Sequence, residues 1–211
     1  MARKRVAVLI SGRGSNMVAL IEAAKDPTYP AEIVLVVSNV SDAKGLERAQ
    51  AGGIKTIVVD HRRFGRDREA FERALQAELV AHQIEIICLA GFMRLLTPWL
   101  VGQWNGRMIN IHPALLPAFK GLDTHARALA AGAKQHGATV HFVVPEMDSG
   151  PIIVQGAVAI ASGDTEATLA ARVLEVEHRI YPQALRLVAE GRVNIVDGKC
   201  LIDGSPAATL S

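Results

Sequence analysis

Residues 5–38 read RVAVLISGRGSNMVALIEAAKDPTYPAEIVLVVS. Two β-branched apolar runs, at 6–10 and 33–37, flank a segment whose apolar residues recur at helical spacing. Apolar runs of this kind, separated by amphipathic helices, are the mark of parallel strands covered on both faces. The alternation continues through AKGLERAQAG (43–52), KTIVVD (55–60), RDREAFERALQAELVAH (66–82) and IEIICLA (84–90). The expected class is therefore α/β, with a doubly wound, mostly parallel central sheet and helices on both faces. TPWLV (97–101) starts a short helix with Pro98 near its first position, and RMINIH (107–112) is the next strand. Beyond it come a helix at HARALAAG (125–132), strands at ATVHFVV (138–144) and IIVQGAVAI (152–160), and a long helix from Thr165 that Pro182 is expected to kink or divide. VNIVDGKCLI (193–202) reads as a hairpin turning on Asp197-Gly198, so antiparallel additions are expected toward the C-terminus.

Bulk composition narrows the function. A chain of 211 residues, half hydrophobic and 21% charged, is ordinary for a globular protein with a real core. Its 23 basic against 21 acidic residues give a net charge of +2, which points to small-molecule substrates rather than a nucleic acid or a membrane surface. Cys88 and Cys200 lie in apolar strand-like segments without metal spacing or a disulfide framework, so a reducing, cytoplasmic setting and no metal are expected. The opening MARKRVAVLISG has too short an apolar run for a signal peptide or a membrane span.

Three places hold residues that carry chemistry. SGRGSNMVAL (11–20) follows a strand and opens a helix. Small residues there let backbone N–H groups approach an anion, and the helix dipole favours one, so Gly14, Ser15 and Asn16 are candidates for a phosphate. The same letters equally describe a tight turn with a serine or asparagine cap; Met17 stands where a full G-x-G-x-x-G has glycine. In RMINIHPALLP (107–117), strand alternation sets Asn110 and His112 on one side, with Ile109 and Ile111 on the other. Pro113 ends the strand, leaving two polar heads at its mouth, where open α/β sheets bind ligands. Asp148, in PEMDSGP (145–151), is the third candidate, although Asp-Ser-Gly-Pro is also plain turn chemistry, and His141 reads first as a buried strand residue with a satisfied ring. An amide, an imidazole and a carboxylate at neighbouring strand ends can polarise a carbonyl and stabilise the oxyanion that forms. No nucleophile elbow, Cys–His arrangement or H-E-x-x-H is present, which argues against covalent or metal chemistry. In LAGFMRLLTP (89–98), Met93, Leu95 and Leu96 can wall a pocket for a flat heterocycle or pack as core. Arg94 and Arg68 can meet an anion or stay solvated.

Taken in order, VLISGRGSN, LAGFMRLL, NIHPALLP, HGATVHFV, DSGPII and EHRIYP resemble the folate-dependent phosphoribosylglycinamide formyltransferase family over nearly the whole chain. The resemblance implies one formyltransferase domain over 1–211, with a nucleotide-binding half at 1–100 and a catalytic, folate-binding half at 101–211. It implies 10-formyltetrahydrofolate as co-substrate and glycinamide ribonucleotide as acceptor. Asn110, His112 and Asp148 match the family's catalytic trio, with Asp148 keeping His112 cationic. The substrate phosphate falls on Gly14, Ser15 and Asn16, with Glu177 near the ribonucleotide. Folate contacts fall on Arg68, Met93, Arg94, Leu95, Leu96, Asn110, Val144 and Asp148. Ala114 departs from the serine expected after His-Pro, and Leu174 from a longer polar side chain. Formyltetrahydrofolate hydrolases and methionyl-tRNA formyltransferases share the core but carry an added N-terminal regulatory domain or an added C-terminal domain with a basic surface, so both are disfavoured for a chain that opens on its first strand. Formyl transfer to another amine and a noncatalytic nucleotide-binding module are the other readings. A monomer or homodimer is expected.

Overall fold

The computed structural model describes residues 2–206 and 209–210. They fall into two units, residues 1–110 and 111–211. The first runs β1 (Lys4–Ile10), α1 (Ser15–Ala24), β2 (Ala31–Ser38), α2 (Lys44–Ala51), β3 (Lys55–Val58), α3 (Arg68–Ala81), β4 (Ile86–Leu89), α4 (Pro98–Gln103) and the start of β5 (Met108–His112). A one-turn 3-10 helix, His61–Phe64, precedes α3 and was not expected. All strands pair in parallel, in the order β3-β2-β1-β4-β5. The fold is of the α/β, mostly parallel class expected. Val6 through Ile10 are fully buried, which is why β1 shows no polar alternation. The chain steps one way from β1 to β3 and then returns to the other side of β1 at β4. The order therefore reverses between β1 and β4, and the loops leaving those two strands meet at the crevice where such sheets bind ligands.

The second unit opens at Ile111, within β5. It continues with α5 (Thr124–Ala130), β6 (Gln135–Phe142), β7 (Ile152–Ala159), α6 (Glu166–Ala189), β8 (Val193–Val196), β9 (Lys199–Ile202), β10 (Ser205–Pro206) and β11 (Thr209–Leu210). β6 and β7 are antiparallel, with an irregularity at Val140/His141, and β11 adds to β7 in parallel. β8, β9 and β10 form a separate antiparallel sheet. Asp197 and Gly198 both have positive φ, at 49° and 73°, as a two-residue hairpin turn requires.

Pro182 does not divide α6, which runs through it as one helix. Proline costs a helix one backbone bond. The flanking turns are clamped by Val176, Ile180, Tyr181, Ala184 and Leu185, each at most 2% exposed, and burial of that face outweighs the lost bond. Thr165 and Thr168 close a capping box at its start. Among the described residues, no helix is long and apolar enough to cross a membrane.

Candidate functional site

In the first unit the glycine loop joins β1 to α1. Gly14 occupies the N-cap position in the left-handed conformation, φ 70°, and no side chain caps the helix. The serine or asparagine cap that the letters also allowed is not what forms. α2 packs tightly against this loop: the Gly45 N–H donates to the Gly12 carbonyl at 2.9 Å, and a Cβ on Gly45 would lie 3.0 Å from that same oxygen and 3.3 Å from the Gly14 Cα. A pocket of about 250 Å³ opens beside the loop, lined by Ser11 to Asn16, Ala90, Gly91 and Met93. Gly14, Ser15, Asn16 and Met93, chosen separately in the sequence, thus share one cavity. Ser11 was not singled out, yet its hydroxyl joins the two walls, donating to Asn39 Oδ1 at 2.5 Å and accepting from the Met93 N–H at 2.7 Å. Its signal was its place directly after the central strand.

Met93 and Leu95 are 66% and 62% exposed, so these two side chains are not core; Met93 lines the pocket beside the glycine loop. Arg68, at the start of α3, turns its guanidinium onto the Leu95 carbonyl at 2.5 Å. Arg94 and Leu96 are half-buried on the same loop. Asn110 pairs in register with Leu89 on the strand beside it and is half-buried. It precedes His112 by two residues on β5, hence on the same side of the strand.

In the second unit His112 is 5% exposed. Its Nδ1 lies 3.4 Å from Asp148 Oδ2 and its Nε2 lies 2.9 Å from the Phe119 carbonyl oxygen. Both ring nitrogens face oxygen acceptors. The backbone is bent to provide this. Phe119 and Asp148 both have positive φ, 55° and 50°, a conformation rare for a bulky side chain and a recurrent feature of functional sites. Asp148 Oδ2 also accepts the Gly121 N–H at 2.8 Å, while Lys120 donates to Ser149 at 2.6 Å. The loops 113–123 and 145–151 are thereby laced together. None of Phe119, Lys120 and Gly121 was marked in the sequence, because a backbone carbonyl or N–H leaves no signature in side-chain identity.

His141 is buried and its Nδ1 faces the Phe142 carbonyl at 2.9 Å, as a satisfied strand histidine should. Its Nε2 lies 3.8 Å from Asp148 Oδ1. Burial pushes its pKa down. His125 and His136 pack in a T-shaped arrangement, with nitrogens 3.2 Å apart, and burial lowers both pKa values, that of His136 to about 4. Val144 is half-buried in the loop after β6, and Glu177 is 6% exposed on α6. Among the described residues, no cluster of three or more His, Cys, Asp or Glu side chains is arranged to hold a metal ion.

The first unit carries a glycine loop at the switch point of its parallel sheet, and the second carries an imidazole between a carboxylate and a backbone carbonyl. The formyl transferase family model matches residues 4–185, and the chain belongs to that family, a family of formyltransferase enzymes. The phosphoribosylglycinamide formyltransferase of Escherichia coli (strain K12) is 43% identical over 199 residues, 94% of this chain and 93% of that protein. The solved structure of the phosphoribosylglycinamide formyltransferase of Coxiella burnetii superposes with a TM-score of 0.93 at 43% identity, covering 99% of this chain and all of that one. The trifunctional purine biosynthetic protein adenosine-3 of Gallus gallus is 51% identical over 191 residues. The chain spans 90% of its own length in that match but only 19% of the trifunctional protein.

Proposed function

We propose that this protein moves the formyl group of 10-formyltetrahydrofolate to the glycine amine of glycinamide ribonucleotide. The observation that carries the reading is His112, buried with an acceptor at each ring nitrogen. The neutral amine attacks the formyl carbon, forming a C–N bond while the carbonyl π pair moves to oxygen. The Asn110 amide donates to that oxyanion, and the His112 Nε2–H exchanges the Phe119 carbonyl for it, so stabilisation grows where charge develops. Collapse of the intermediate breaks the bond to folate N10. The proton lost by the amine ends on that nitrogen, and Asp148 steadies the imidazolium meanwhile.

Binding follows the same division. Gly14, Ser15 and Asn16 take the phosphate at the start of α1, with Glu177 toward the ribonucleotide. Met93, Arg94, Leu95 and Leu96 face the pteridine ring, joined by Asn110, Val144 and Asp148, and Arg68 serves the folate side. The protein acts in the cytoplasm on small molecules, as one domain and as a monomer or homodimer. Identity of 43% to the phosphoribosylglycinamide formyltransferases of Escherichia coli and Coxiella burnetii, matched over 93% and 100% of their lengths, supports this acceptor.

The test is an absorbance assay of folate product with 10-formyltetrahydrofolate held constant. Product only when the ribonucleotide is added is the expected result. Product without it makes the protein a formyltetrahydrofolate hydrolase, and no product with either ligand returns the noncatalytic module.

A further inference from the structure

The segment between β4 and α4 has no regular secondary structure, yet it is tied down at every second residue. The Met93 N–H donates to the Ser11 hydroxyl at 2.7 Å. The Leu95 carbonyl accepts from Arg68 at 2.5 Å. The Thr97 N–H donates to the Glu72 carboxylate at 2.6 Å, whose other oxygen takes the Thr97 hydroxyl. Arg68 and Glu72 stand one helical turn apart on α3, so one helix supplies two of the three anchors.

Glu72 is the costly member of this set. It is 1% exposed and lies in the stripe Phe71, Glu72, Leu75 and Leu79 that α3 buries. Among the described residues it makes no salt bridge with a lysine, arginine or histidine. A carboxylate buried without a cation is expensive unless its oxygens are met by donors, and among the described residues both oxygens are met by Thr97 alone. Thr97 in turn forgoes its usual work. It sits at the N-cap of α4, yet its side chain caps no N–H of that helix, although threonine is a preferred capping residue. Both of its donors point away from α4 and toward α3.

We propose that Glu72 is a positioning residue. Through Thr97 it sets the height of the shelf at residues 93–96, so that the edge offered by Arg94 and Leu96 exists before a ligand arrives. The inference rests on the reading above that this shelf receives the pteridine ring of the folate. A preformed shelf spares the ordering cost of binding.

The test compares Glu72→Gln, Thr97→Ala and Thr97→Ser. Each is followed by thermal melting, by KM for both substrates, and by the dissociation constant of tetrahydrofolate, a non-reacting ligand, from calorimetry. The glutamine keeps the shape but sets an NH₂ against a Thr97 donor; loss of one charged hydrogen bond corresponds to about tenfold or more in affinity. Expected for Glu72→Gln and Thr97→Ala is a folate KM and dissociation constant about tenfold higher, with ribonucleotide KM changed less than about twofold, and Thr97→Ser recovering most of the loss. Should Glu72→Gln fail to fold, the two Thr97 variants carry the same comparison. A lowered melting temperature with unchanged folate binding overturns the proposal, and so does an equal rise in both KM values. A wild-type protein that binds no tetrahydrofolate overturns the functional reading itself, whereas tight wild-type binding with unaltered variants overturns only the role of Glu72.

Discussion

His112 has a carboxylate at one nitrogen and a backbone carbonyl at the other, so its replacement removes the donor that both acceptors face. His112→Ala is expected to lower kcat by on the order of 10²- to 10⁴-fold while the protein stays folded. Full turnover in a folded variant would end its assignment to the oxyanion. Asp148 has two tasks. Its Oδ2 faces the His112 ring and accepts the Gly121 N–H, and an asparagine carbonyl can still do the second. Asp148→Asn should therefore cost about 10²-fold in kcat and leave ribonucleotide KM within about threefold, as expected for a group that acts on developing charge rather than on binding.

Between elements, α2 packs closely on the glycine loop. A Cβ at Gly45 would lie 2.5 Å from the Ile10 Cδ1 and also press on Gly12 and Gly14 backbone atoms. The isoleucine tip can swing aside, but the backbone must shift. Gly45→Ala should raise ribonucleotide KM several-fold, up to about tenfold, with a smaller change for folate, because a displaced N–H cradle loses its aim at an anion. Equal kinetics for variant and wild type would remove the loop from phosphate binding. α5 meets β6 at His125 and His136, whose pKa values lie below the ordinary histidine value, with burial the main cause. A lowered folded pKa means the neutral ring is favoured in the native state. That stability is present above about pH 6.5 and is lost as pH falls toward 4, where His136 titrates. Melting temperature should drop across that window, and His136→Gln should flatten the drop; parallel profiles would assign the acid sensitivity to other groups.

Across the whole molecule, β1 lies at the centre of the first unit's sheet, with β2 on one side and β4 on the other. Leu9 is fully buried there. Leu9→Ala should cost roughly 2–5 kcal/mol, a fall in Tm on the order of 10 °C by calorimetry; a loss under about 1 kcal/mol would mean the sheet closes around the cavity. This central burial explains what was readable from the letters. Elements that bury a face must repeat apolar residues at the period of that face, so strands, helices and the α/β class were legible in the chain, as were the hairpin at Asp197-Gly198 and Pro98 at the start of α4. That Pro182 leaves α6 undivided was not legible, because a local cost in one helical turn says nothing of the packing on both sides that overrides it. For the site, Gly14, Ser15, Asn16, Asn110, His112 and Asp148 were legible as residue types able to hold an anion or move a proton. Tertiary structure alone decided that Ser11 bridges two loops, that Phe119 turns a carbonyl onto His112, and that Glu72 spends a buried carboxylate on Thr97. Those contacts join residues 7 to 82 positions apart, and several use backbone atoms that every residue has. Sequence by itself determined the periodic pattern that selects the fold and the side chains available for chemistry. Which of them meet depends on backbone direction at the strand ends, which exists only once the sheet has formed.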